Sequence, residues 1–440
     1  MMKKNKHVVA LLLALVLAGH MITGCADADN KNQQPKTTLR FMWWGGRERY
    51  EKTLEVIKAY EAVHPEIVIE PESIEWSEYF DTLSTYAATG SMPDIVQMDY
   101  MYLSTFRGNS SLSDLTSFVA NEVIDISDID LSLIKTGLIS GEVIGIPVST
   151  SMLSVVYSKK VFDEAGLSYP SSEWTWDDFS DICTLIKTKT GKVGAAMSPL
   201  SDVNILNYFA RQHGELLFTD NGAALGISEA TLAEYMSLWK NLVEKEALTN
   251  PSDYEELLSA SPEQMPVVQD EAGLMFEWSN FISKVSDAND NLGMVTPPLL
   301  NENNESKGLW NKPGMFLCIA ETSEVKEEAA EFINWFINSE EAGLIMQGER
   351  GIPANMKVRD MLIGSDNLSQ GQKQSFEYIS NAYNYIGDTV AHDPVGISEI
   401  NELFKTLMEK VLYDQLTPEA AAHQFVVKAN KILIENNKVY

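Results

Sequence analysis

Aromatic and acidic residues gather where three short apolar runs give out. Trp43, Trp44, Gly45 and Gly46 end the first, Glu72 and Trp76 follow the second, and Asp99, Tyr100 and Tyr102 close the third. Planar rings can cover the apolar C–H faces of a polyol, while carboxylates, amides and guanidinium groups bond its hydroxyl rim. Trp43, Trp44, Trp76, Tyr100, Tyr102 and Trp278 are candidates for the first task, and Glu72, Asp99, Asn280, Glu349 and Arg350 for the second. Gly45, beside the rings, and Ser149, in a hydroxyl-bearing stretch after Pro147, complete the candidate substrate-binding set. Each ring has core packing as its alternative, Asp99 a helix N-cap, and Arg350 a pair with Glu349 or a neighbouring acid across a surface turn. Trp239 and Trp335 lie on helical apolar stripes and are assigned to the core.

Other chemistry is poorly represented. There is no G-x-G-x-x-G, phosphate loop, G-x-S-x-G or H-E-x-x-H. Of the six histidines, His7 and His20 fall in the leader described below. His64, His213, His392 and His423 form no pair with metal-ligand spacing, so no metal and no cofactor is expected. A carboxylate pair for glycoside cleavage could assemble from Glu72, Asp99 or Glu277, but 63 acidic residues make such coincidences cheap. The expectation is a binding protein without catalytic residues. A net charge of -30 argues against nucleic acid and against electrostatic adhesion to an anionic membrane. At 440 residues the chain exceeds what one hydrophobic core usually serves, so two lobes are expected.

The N-terminus reads as a leader. Lys3, Lys4 and Lys6 precede an apolar run, Val8 to Ala18, too short for a membrane span, and Ile22-Thr23-Gly24-Cys25 ends it. This resembles the lipobox of bacterial lipoproteins, which implies a signal peptide over 1–24 and a lipid on Cys25. Residues 25–36 then form the lipidated cysteine and a polar tether. Two acyl chains suffice for stable anchoring where one is marginal. Cys183, on an apolar helical face, and Cys318, in an apolar strand, are expected to be free and buried.

The elements that must position the candidates follow from periodicity. Leu39 to Trp44 is a continuous apolar run, as a parallel strand buried on both faces requires. Tyr50, Leu54, Ile57 and Tyr60 predict an amphipathic helix, Ile67 to Ile69 a strand, and Tyr79, Phe80, Leu83, Tyr86 and Ala87 a helix closed by Gly90. Ile95 to Met98 is a third strand, so the class is α/β, with ligands expected beyond the carboxyl ends of the strands. Val148 to Ser151 reads as a crossing between lobes before a strand at Leu153 to Tyr157. Thr175-Trp176-Asp177-Asp178 starts a capped helix with Phe179, Ile182, Cys183 and Ile186 inward. Strands are predicted at Gly273 to Trp278 and Met315 to Ala320, and a helix at Glu327 to Ile337.

Several of these segments together resemble the extracellular solute-binding proteins of bacterial ABC importers, in the group that takes up sugars and oligosaccharides. They are Phe41-Met42-Trp43-Trp44-Gly45, Pro93 to Asp99, Gly145-Ile146-Pro147, Trp174 to Phe179 and Glu327 to Ile333. The resemblance implies a two-lobed, periplasmic-binding-protein-like clamp, with lobe 1 over 37–147 and 313–357 and lobe 2 over 148–312 and 358–440. It implies an oligosaccharide ligand, ABC importer permease subunits as partners, a monomer, and lipid anchoring on the outer face of a Gram-positive-type cell membrane. A carbohydrate-active hydrolase or a sugar sensor with a similar cleft is the alternative. Hinges are expected at Pro147 to Ser151 and at Lys312-Pro313-Gly314. A narrower resemblance, to the subgroup associated with pectin-derived, rhamnogalacturonan-type oligosaccharides, rests on Trp43 to Gly46, Gln97-Met98-Asp99, Glu349 to Pro353 and Asp393 to Gly396. An anionic sugar of that kind would need cations, for which Arg47, Arg49, Lys312 and Arg350 are candidates. Trp43 and Trp278 are expected to be ring platforms whose loss weakens binding without unfolding the protein.

Overall fold

Period-2 alternation along the strands separates the core of each sheet into two faces. A computed structural model describes residues 36–197, 203–219, 222–249, 260–301, 308–387, 394 and 396–436. The leader, Cys25, all of the tether but its last residue, and Asp393 and Val395 lie outside the described residues. The strands are β1 (Thr37–Trp44), β2 (Ile67–Ile74), β3 (Ile95–Met98), β4 (Leu138–Ile139), β5 (Glu142–Val143) and β6 (Ile146–Ser151). They continue with β7 (Leu153–Ser158), β8 (Val193–Ala195), β9 (Ala272–Trp278), β10 (Leu292–Val295), β11 (Lys312–Ile319) and β12 (Ile352–Pro353).

One sheet has the order β12-β6-β11-β3-β1-β2 and another the order β10-β7-β9-β8, with β4 and β5 forming a small hairpin. In β1, Leu39, Phe41 and Trp43 join a cluster with Tyr60, Phe332 and Phe336, while Met42 and Trp44 join Tyr79, Phe80 and Leu103 on the other face. The second sheet divides likewise: Val155, Leu274 and Phe276 pack with Trp176, Phe179 and Trp239, and Val156 and Met275 with Phe281 and Leu292. Each sheet thus has its own helices and its own interior, the two-lobed α/β arrangement expected.

The helices follow the sequence reading with small rotations. Arg47–Val63 buries Thr53, Val56, Ile57 and Tyr60, leaving Tyr50 exposed. Trp76–Thr89 buries Tyr79, Phe80 and Leu83 and ends at Gly90 in the left-handed conformation. The capping box at Thr175 and Asp178 forms, and Trp176, Phe179, Cys183 and Ile186 are buried beneath it. Trp239 is wholly buried and Trp335 packs at the edge of the first-sheet core. Both cysteines are free and buried.

Two boundaries differ from expectation. Strand β2 runs on to Ile74, because at the sheet edge Pro71 removes no needed ladder hydrogen bond. Glu72 therefore lies inside β2, opposite Met42, rather than beyond the strand. Strand β6 pairs in the first sheet as far as Ser151, opposite Lys312, so the passage to β7 falls at Met152. The two expected hinge segments are consequently neighbouring strands. A β-bulge at Gly314 lies between them, and a Cβ there would come within 2.3 Å of the Ser149 Oγ. No helix among the described residues is long and apolar enough to cross a membrane.

Candidate functional site

The ends of β6 and β9 and the starts of β7 and β11 meet where the sheets adjoin. Strand β9 ends at Trp278, paired with Leu153 at the start of β7, just past the Met152 crossing. The Ser279 N–H donates to the Met152 carbonyl at 2.9 Å and the Met152 N–H to the Ser279 Oγ at 3.2 Å, locking the ring to the crossing. Lys312, the first residue of β11, places its Nζ 4.2 Å from the centre of the Trp278 ring. This cation–π contact spans the two sheets. Trp310 meets the Trp278 ring at 6.1 Å and 80°, and the Arg211 guanidinium lies over Trp310 at 5.7 Å. Asn280, half-buried, starts the next helical turn without capping it.

The facing wall begins at Asp99, beyond β3. Its carboxylate accepts from the Met101 N–H at 2.9 Å and caps the Tyr100–Gly108 helix, so the capping role is real. Burial raises the Asp99 pKa, while the Met101 hydrogen bond and the Lys312 charge oppose that rise. Lys312 thus acts electrostatically on Asp99 and sits on Trp278. Tyr100 stacks at 6.4 Å on Phe316, and Tyr102 lies flat on Phe80 at 3.8 Å. Phe80 in turn meets Trp76 at 5.2 Å and Trp44 at 5.7 Å, and Trp44 meets Trp76 edge-on at 5.1 Å. Trp44 and Phe80 are buried, and the series opens to solvent at Trp76, which is 45% exposed.

Four expected site residues are placed elsewhere. Trp43 is wholly buried against Phe41 at 4.8 Å, on the sheet face opposite Trp44, because successive strand residues point to opposite faces. It is a core ring. Glu72 accepts from the Tyr86 hydroxyl at 2.8 Å and from Arg40 at 3.4 Å, so its oxygens serve the β2 edge. Glu349 accepts from the Arg49 Nε at 2.8 and 3.1 Å. Arg350 is buried, donating to the Gln97 Oε1 and the Thr53 Oγ1, each at 2.9 Å, with Phe336 beneath its guanidinium at 5.2 Å. Burial, with the Arg49 charge adding to it, pulls Arg350 down to about 9.

Gly45 and Ser149 shape the site without facing it. Gly45 has φ +146°, and a Cβ there would lie 2.4 Å from the Arg49 side chain, which folds back to donate to the Trp44 carbonyl at 3.0 Å. Ser149 is buried under Gly314 and Gly351, and its hydroxyl has no partner. Sequence reasoning named Lys312 as a hinge and a cation but did not count it in the site, and it missed Trp310. The signal was present in Trp310-Asn311-Lys312, an aromatic and a cation at the start of a strand. No metal-ligating cluster occurs among the described residues.

Known proteins share the fold of this chain. A solute-binding protein of family 1 from Alicyclobacillus acidocaldarius subsp. acidocaldarius DSM 446 has the same fold, with a TM-score of 0.78 at 30% identity over 92% of this chain and 100% of that one. A periplasmic oligogalacturonide-binding protein from Yersinia enterocolitica matches with a TM-score of 0.77 at 22% identity, over 91% and 100% of the two chains. A binding protein of Brucella abortus (strain 2308) is 20% identical over 386 residues, 86% of this chain and 89% of that relative. The family model for bacterial extracellular solute-binding proteins matches residues 44–343. With two lobes meeting at a ring-lined junction, and a match over most of its length, the chain belongs to the family of bacterial extracellular solute-binding proteins.

Proposed function

We propose that this protein is a lipid-anchored receptor that captures an oligosaccharide between its lobes and hands it to the permease of an ABC importer. The carrying observation is the Trp278 ring at the lobe junction, with Lys312 over it and Asp99 within Lys312's field. A ring face flanked by charged hydrogen-bonding groups suits a polyol. Trp44, Trp76, Phe80 and Tyr102 extend the aromatic surface along the other lobe, favouring a chain of sugar rings over a single one. The Yersinia enterocolitica relative, an oligogalacturonide-binding protein, supports the same substrate class.

In this reading the ligand stabilises the closed clamp only through its better fit to that form. We take the lobes to divide at the sequence-derived boundaries, 37–147 with 313–357 against 148–312 with 358–440, with two changes: the first crossing moves to Met152, and Lys312, paired with Ser151 in the first sheet, joins the first lobe. Cys25 carries the lipid after removal of 1–24, the receptor is monomeric on the outer membrane face, and it performs no catalysis. The substrate-binding residues are Trp44, Trp76, Asp99, Tyr100, Tyr102, Trp278 and Asn280, with Lys312 added.

A thermal-shift and calorimetric screen against neutral and uronic oligosaccharides, peptides and polyamines tests this reading. At least one oligosaccharide is expected to raise the melting temperature and bind without release of new reducing ends. Stabilisation by a peptide or polyamine and by no sugar would sink the substrate class. Steady release of reducing ends would replace the receptor with a hydrolase.

A further inference from the structure

Arg350 sits in the interior, yet its hydrogen bonds lead to the wall of the site. Its Nε donates to the Gln97 Oε1 at 2.9 Å, and the Gln97 Nε2 points back to the Trp44 carbonyl at 3.5 Å. Its Nη2 donates to the Thr53 Oγ1 at 2.9 Å, and that hydroxyl donates to the Arg49 carbonyl at 2.6 Å. The Arg49 side chain reaches the same Trp44 carbonyl at 3.0 Å while holding Glu349, the residue next to Arg350. Two branches therefore converge on the last residue of β1, whose ring touches Trp76 and Phe80. Trp44 needs such support, because β1 ends there and Gly45 leaves the strand with positive φ.

The origin of these branches is as telling as their end. Arg350 belongs to the turn between the Glu340–Met346 helix and β12. That turn rests on the Gln370–Ala382 helix: the Gln372 Nε2 donates to the Gln347 carbonyl at 3.0 Å, and a Cβ on Gly348 would lie 2.7 Å from the Phe376 ring. The same helix is tied to the second sheet by the Tyr378 hydroxyl, which donates to the Leu153 carbonyl. Any shift of that helix during lobe motion bears on the turn that carries Arg350.

We propose that Arg350 is a positioning residue for the binding site, fixing the Trp44 end of β1 through Gln97 and Arg49 from a turn seated on the opposite lobe. A planar guanidinium suits this role because its fork holds two acceptors at fixed angles, which an ammonium cannot do. The role rests on the reading that Trp44 and Trp76 line a sugar site. The supporting shell of a site decides how accurately its contact residues stand.

The test uses protein labelled with 5-fluorotryptophan, with the Trp44 19F resonance assigned through Trp44→Phe. Arg350→Lys and the near-isosteric Thr53→Val are compared with wild type, and Thr53→Val carries the test if the first variant fails to fold. The Trp44 line is expected to move in both while that of Trp239, in the other lobe, stays. In parallel, titration with digalacturonic acid and with maltotriose should show an affinity loss of about tenfold for whichever probe binds wild type, the equivalent of one or two lost hydrogen bonds. A bound probe with an unmoved Trp44 line, or a moved line with unchanged affinity, overturns the positioning role alone. If wild type binds neither the two probes nor any other sugar of the wider screen, the sugar reading fails and the role falls with it.

Discussion

Replacing Trp43 and Trp278 separately should divide stability from binding, although one ring stands next to a strand end and the other at one, and both invite the same reading. Trp43 is wholly buried, packed on Phe41 at 4.8 Å and Tyr50 at 6.2 Å. Truncating a buried Trp to Ala costs about 3–5 kcal/mol. The Trp43 Nε1 has no hydrogen-bond partner, so its removal returns roughly 1 kcal/mol and the cost should lie near the lower end. At about 2–4 °C per kcal/mol for a lobe-sized unit, the melting temperature should fall by roughly 6–12 °C. Trp278 is only half-buried, with Lys312 over one face. Its truncation should lower stability by about 1 kcal/mol or less and weaken sugar binding by about one to two decades, the worth of a lost ring contact. Differential scanning calorimetry and isothermal titration with a sugar that stabilises wild type read the two effects apart. A Trp43→Ala protein that melts with wild type but no longer binds would refute the assignment of that ring to the core. A Trp278→Ala protein that binds as wild type would remove the platform.

Further expectations concern the junction. Lys312→Met should raise the Asp99 pKa further, since the ammonium opposes the rise caused by burial, and carbonyl 13C titration would read it. With a folded pKa above the unfolded one, the folded state holds that proton more tightly. Asp99 therefore lowers stability as pH rises from the ordinary Asp range through the folded value, and the variant should steepen that fall; a downward move would contradict the geometry. Gly314→Ala should destabilise by about 1–3 kcal/mol because its Cβ would meet the Ser149 Oγ at 2.3 Å. Ser149→Ala, which removes an unpartnered hydroxyl, should be nearly neutral alone and should rescue the glycine variant in a double-mutant cycle. Cys183 and Cys318, whose thiols burial pushes well up, should ignore a disulfide reagent in the native state and react on unfolding. Reaction of either thiol in the folded protein would place it at the surface.

The sequence by itself determined most of the scaffold, because local periodicity and caps are written along the chain. The apolar run of β1, the helix ended by Gly90 and the capping box at Thr175 needed no distant partner to be read. The two-lobed class and the family also followed from segments each short enough to see in one line. The tertiary structure decided what the rings and charges do. Adjacent Trp43 and Trp44 look equivalent in the sequence, but the pleat sends one into the cluster around Tyr60 and Phe332 and the other into the opposite cluster, against the half-exposed Trp76. Glu72 and Glu349 meet Arg40 and Arg49, and Arg350 meets Gln97 and Thr53, only once distant segments have folded together. Lys312 stands over Trp278 for the same reason: the contact joins the start of one sheet's strand to the end of another's. Polar partnership between distant segments is set by three-dimensional proximity, which spacing along the chain does not encode.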